Sequence, residues 1–116
     1  MSNDIYIWKS NKLFKKQDAG NIAGQLAEAD TKPDQIDASD LIEKLITSIS
    51  TPHPPLERDP SSVWGSSFIC SDWHCTVSMS YASEYYVDAF IDLQSECKRL
   101  GLTLYDTSSG DVFPNS

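Results

Sequence analysis

A chain of 116 residues has room for one domain, because two domains of half that length would each bury too little apolar surface. With 17 acidic residues against 9 basic ones it carries a net charge of −8, and such a surface repels phosphate backbones, so direct nucleic-acid binding is not expected. An apolar fraction of 40% excludes wholesale disorder, and no apolar run approaches the ~20 residues needed to cross a bilayer, so a cytoplasmic protein without membrane contact is expected.

Taken in order, residues 4–8 alternate Ile5 and Ile7 against Tyr6 and Trp8, which predicts a strand with large side chains on both faces. Lys9, Lys12, Lys15 and Lys16 crowd a polar connection, and Asp4 is the only acid in the first sixteen residues, so the rest of the chain is more acidic still. Asp18 is placed to cap a helix running to about Ala29, with Ala19, Ile22, Ala23, Leu26 and Ala29 on its buried face. Gly20 and Gly24 weaken that helix and are explained if its backbone approaches a neighbour closely.

Residues 31–37 form a polar loop broken by Pro33. Ser39 then opens a second helix with Leu41, Ile42, Leu45, Ile46 and Ile49 on one face. Four prolines between residues 51 and 60 exclude helix and central strand and predict a stiff surface connector. Residues 63–70 and 75–81 predict a hairpin around Ser71, Asp72, Trp73 and His74, with Thr76, Ser78 and Ser80 giving one polar face that looks to solvent or to a partner.

Residues 83–113 organise the whole. Tyr86, Ala89, Phe90, Leu93, Cys97 and Leu100 recur at helical spacing, Gly101 supplies a left-handed stop, and residues 102–105 read as a strand. Turn chemistry from Asp106 to Gly110 leads to an apolar step at Val112 and Phe113. The element order fits an α+β domain of the ferredoxin-like split βαβ plan with an extra helix, a mostly antiparallel sheet carrying helices packed on one face. The strand at 4–8 and the strand from Leu102 are expected side by side.

The segments DIYIW, VWGSSFI, MSYASEYYVDAFIDLQSECKRLGL and LTLYDTSSGDVFP together resemble the immunity proteins of bacterial polymorphic and contact-dependent growth inhibition toxin systems. Each of those proteins neutralises the toxin encoded beside it. Thr107 and Ser108 stand where many of those proteins have proline and glutamine, a departure that keeps the turn. The resemblance implies a cognate toxin domain as partner and an antitoxin role, and it implies no catalytic residue and no cofactor.

The residues themselves point to a binding surface. Glu84, Asp88, Asp92 and Glu96 lie four apart and form a drifting acidic stripe along one helix; the plain alternative is a solvated face balanced by Lys98 and Arg99. Asp72 and Trp73 at the hairpin tip offer a carboxylate and an aromatic anchor, although Trp73 can equally fold back over the sheet. Cys70, His74 and Cys75 supply three metal-binding side chains where a structural zinc site needs four, so no metal is expected. Adjacent strand residues point to opposite faces, which keeps His74 from serving Cys75 as a base. Phosphate-binding glycine loops, dinucleotide fingerprints and HExxH are absent from the sequence. An inhibitor that occludes a basic nuclease toxin is therefore expected, not an enzyme. An acidic scaffold for some other basic protein, or a small metal-binding or cysteine-dependent enzyme, are the alternatives.

Overall fold

Strand β1 (Ser2–Lys9) carries Ile5 and Ile7 on one face and Tyr6 and Trp8 on the other, so both faces need cover. In the computed structural model, which describes residues 2–28, 32–66 and 68–114, β1 is the middle strand of a five-stranded antiparallel sheet. After α1 (Lys16–Glu28) and α2 (Leu41–Ser50) come β2 (Ile69–Cys70), β3 (His74–Ser80), α3 (Tyr86–Leu100), β4 (Leu102–Asp106) and β5 (Asp111–Phe113). The order across the sheet is β2-β3-β1-β4-β5. Every neighbour is antiparallel, so β1 and β2 run parallel with β3 between them, which is the split βαβ arrangement of a ferredoxin-like α+β fold.

The two faces are covered by different helices. Ile5, Ile7, Cys75, Val77, Met79 and Leu104 pack with Ile42, Leu45 and Ile49 of α2 and with Ala89, Leu93 and Cys97 of α3. Trp8 and Val112 instead pack with Phe14, Ile36 and α1 through Ala19, Ile22 and Leu26. The expectation of helices on one face holds for α2 and α3; α1 lies on the other side, because Tyr6, Trp8 and Tyr105 would otherwise leave a broad apolar surface in water.

Local signals account for most element ends. Gly101 takes φ 71° and its N–H reaches the carbonyls of Cys97 and Lys98, ending α3 where β4 must begin. Asp40 is the N-cap of α2, and Ser39 just before it accepts the Leu41 N–H at 3.1 Å. Helix α1 starts at Lys16, earlier than the expected Asp18 cap, since the Ala19 N–H already bonds to the Lys15 carbonyl; Asp18 sits in the first turn, where the helix dipole favours an acid. Gly20 does face a close neighbour, as a Cβ there would lie 3.3 Å from the Tyr105 hydroxyl, whereas Gly24 faces nothing within 4 Å.

The expected hairpin forms, but its first strand shrinks to Ile69 and Cys70 with a separate bridge from Trp64 to Met79. The proline connector is pinned by bonds from Trp64 Nε1 to the His53 carbonyl at 2.8 Å and from Ser62 Oγ to the Pro54 carbonyl at 2.6 Å. Ala29, Thr31 and Ser67, to which the sequence reading assigned helix, loop and strand, lie outside the described residues. Among the described residues no helix is long and apolar enough to cross a membrane.

Candidate protein-binding surface

Helix α3 buries Ala89, Leu93 and Cys97, which turns its acidic stripe outward and toward α2. The stripe then divides into two halves. Asp92 accepts a 2.7 Å bond from His53 Nε2, and Glu96 meets Arg99 at 2.7 Å (Nε) and 2.6 Å (Nη2). The Arg99 hydrogen bond, with a further one from Ser48, holds the Glu96 carboxyl below the usual carboxylate range despite some desolvation. These two carboxylates are spent inside the molecule.

Glu84 and Asp88 are exposed and have no hydrogen-bonding or ionic side-chain partner among the described residues. Glu84, expected on the helix, lies just before it because α3 begins at Tyr86, and Asp88 stands in the first turn, where the helix dipole favours negative charge. Around them the surface is apolar in a way the acidic spacing did not reveal. Tyr81, Tyr85, Val87 and Ile91 are 47%, 51%, 65% and 53% exposed. Val87 and Ile91 are four apart on α3 and Asp88 lies three before Ile91, so a carboxylate and apolar side chains interleave on the first turns of the helix. The signal was present in the sequence, since both residues fall off the buried face of the helix. Tyr81 stacks on Tyr86 at 5.2 Å, and Tyr86 on Phe90 at 6.3 Å, which fixes the aromatic end of this patch.

Asp72 and Trp73 are not part of it. Ser80, beside the entry to α3, pairs with Ser2, while His74 pairs with Trp8 at the other end of β3, about 20 Å away at strand rise. Asp72 is exposed, and its backbone carbonyl accepts the Ser39 N–H at 2.8 Å. Trp73 folds back: it is half-buried against the α1-side core, and its Nε1 is buried without an acceptor. The tip therefore offers Asp72 alone.

Lys9 pairs with Leu102 at the hairpin-tip end of the sheet and donates to the Gly101 carbonyl at 3.2 Å. Lys16 holds Asp111 at 2.7 Å. Lys9 thus lies at the end of the sheet away from the entry to α3, Lys16 lies at mid-sheet, and Lys98 and Arg99 close the far turn of α3.

Two other surfaces bear on chemistry. A groove of about 510 Å³ beside the C-terminal half of α3 is lined by Leu13, Cys97, Lys98, Phe113 and Pro114 among others, with no His, Asp or Glu among its described lining residues. The polar face of β3 looks out on the α1 side beyond the reach of α1, with Thr76, Ser78 and Ser80 half-buried and Ser78 Oγ bonded to Asp4 at 2.5 Å. Among the described residues no three His, Cys, Asp or Glu side chains converge as metal ligands would. At the β4–β5 turn Asp106 accepts the Ser108 N–H at 3.0 Å and the Asn3 amide at 2.8 Å, so its role is to hold the turn.

The chain matches no family model, no curated protein and no solved structure.

Proposed function

We propose that this chain is an immunity protein of the cytoplasm that binds a cognate, basic nuclease toxin domain and occludes its active site. The observation that carries the reading is the interleaved surface at the start of α3, where unpaired Glu84 and Asp88 stand among exposed Tyr81, Tyr85, Val87 and Ile91. Interface hot spots combine aromatic anchors with desolvated polar groups in this way. Carboxylates placed against the cations that a nuclease uses to hold phosphate bar the substrate while satisfying those cations. Close charge pairs of this kind couple by about 1.5–7 kcal/mol, and the net charge of −8 speeds encounter with a basic partner. The resemblance of the β1, α3 and β4–β5 segments to immunity proteins points the same way. Asp92 and Glu96, engaged with His53 and Arg99, take a supporting part, and Asp72 belongs to a second contact at most.

Association of the purified chain with the toxin domain encoded beside it, followed by stopped-flow at several salt concentrations, tests the surface. Glu84→Lys together with Asp88→Lys should slow association on the order of tenfold and flatten its salt dependence. Kinetics identical to the parent would remove this surface from the interface. An acidic scaffold for an unrelated basic protein would bind no such toxin domain.

A further inference from the structure

Cys70 and Cys75 take no part in the proposed toxin contact, yet the fold sets them face to face. They are register partners across the β2–β3 hairpin, and their sulfurs lie 2.8 Å apart. The next pair toward the tip, Ser71 and His74, is joined by a backbone bond of 2.9 Å from the Ser71 N–H to the His74 carbonyl. Alternation along an antiparallel ladder then makes Cys70–Cys75 a non-hydrogen-bonded pair, in which the Cα atoms approach to ~4.5 Å and the side chains come closer. That spacing is within the range a disulfide spans. The two thiols also differ in access. Cys70 is exposed on the edge strand, whereas Cys75 is fully buried in the core beneath α2 and α3.

We infer that Cys70 and Cys75 form a reversible dithiol–disulfide site that reacts with low-molecular-weight disulfides, Cys70 as the entering nucleophile and Cys75 as the resolving thiol. The Cys70 thiolate attacks one sulfur of the small disulfide and expels the other as a thiolate, which takes up the proton lost from Cys70. A mixed disulfide on Cys70 results. The Cys75 thiol, losing its proton, then attacks the Cys70 sulfur and expels the second small thiol. The protein dithiol is oxidised by two electrons, and the small disulfide is reduced to two thiols. The hydrogen bond with Cys75 lowers the Cys70 pKa, in keeping with Cys70 as the entering thiolate. The same bond, together with burial and the neighbouring Cys70 and Cys97, raises that of Cys75, which keeps Cys75 from being the entering thiolate. Thiolate character and exposure at Cys70 are what make a cysteine reactive.

The consequence is local. Edge strand β2 is held to β3 by only two register pairs, one of which is this one, and the tip between the cysteines docks on α2 through the Asp72 carbonyl and Ser39 N–H. Oxidation would staple the edge strand and fix the tip. This inference is independent of any toxin partner.

The full chain, incubated in reduced and oxidised glutathione at graded ratios and then alkylated, tests it by mass spectrometry. The expected product has lost two hydrogens and yields a Cys70–Cys75 linked peptide, with Cys97 unreacted until denaturation. Cys75→Ala, or Cys75→Ser if alanine does not fold, should stop at a stable glutathione adduct on Cys70. Cys70→Ser should abolish both products. In native alkylation Cys70 should react at least about tenfold faster than Cys75 or Cys97. A chain that stays fully reduced in oxidised glutathione, a linkage involving Cys97, or a Cys70→Ser variant that reacts like the parent would each overturn the inference.

Discussion

The imidazole of His53 and the carboxylate of Asp92 meet at 2.7 Å, joining the proline connector to the middle of α3. His53 is at the same time the residue whose carbonyl receives the Trp64 indole N–H, so one histidine anchors the connector to both a core tryptophan and the helix. Asp92 is thereby a structural carboxylate within a stripe that sequence spacing shows as uniform. Its partner side chain is largely covered while Asp92 remains half-exposed, and partly exposed pairs contribute about 0–1 kcal/mol. Asp92→Ala should lower unfolding stability within that range, and Asp88→Ala should leave it unchanged, as urea unfolding of both variants will show. A double-mutant cycle with His53→Ala assigns the difference to the pair.

Two tryptophans give opposite expectations for the same substitution. Trp64 is fully buried and its N–H is satisfied at 2.8 Å, so Trp64→Phe leaves a carbonyl orphaned and a void, costing about 2–3 kcal/mol. Trp73 carries a buried N–H with no acceptor, so Trp73→Phe removes an unsatisfied donor and should change stability by less than about 1 kcal/mol in either direction. Urea midpoints for the two variants measured side by side will separate them.

The end of α3 depends on one backbone conformation. Gly101 adopts φ 71°, a region that costs a residue with a Cβ about 1–2 kcal/mol. Gly101→Ala should destabilise the fold by that amount without altering its secondary structure, measured by denaturation and circular dichroism.

These cases show which parts of the fold can be read from the chain. The helix faces and the glycine stop follow from periodicity and turn chemistry, which are local, and the placing of β1 beside β4 follows from the element order. The placement of α1 opposite α2 and α3 was implicit in the large side chains on both faces of β1, but choosing which helix covers which face is a tertiary matter. The acidic stripe was legible as a spacing of four. Its division into free Glu84 and Asp88 and engaged Asp92 and Glu96 was not, because His53 reaches α3 from 39 residues away. Trp73 likewise needed the sheet in place before its fold-back could be seen.

A pH effect follows from His74. Burial lowers its pKa below the ordinary 6.5. The unfolded chain then takes up the proton first as pH falls, so stability is complete above about pH 6.5 and declines below it. The carboxylates held low by hydrogen bonds, Glu96 beside Arg99 and Asp111 beside Lys16, add their own loss in a separate window further into acid. Unfolding curves between pH 7.5 and 5.5 should shift to lower urea in the parent, and the His74→Gln variant should lose most of that shift. A parent curve that is flat across this range would contradict the assignment.

Growth of cells expressing the toxin domain encoded beside this chain, with and without the chain supplied from a second plasmid, tests the binding function most directly. Full rescue by the parent and weakened rescue by Glu84→Lys with Asp88→Lys is the expected result, with both proteins present at equal levels. Toxicity undiminished by the folded, expressed parent would contradict the proposal that this acidic surface exists to cover a toxin.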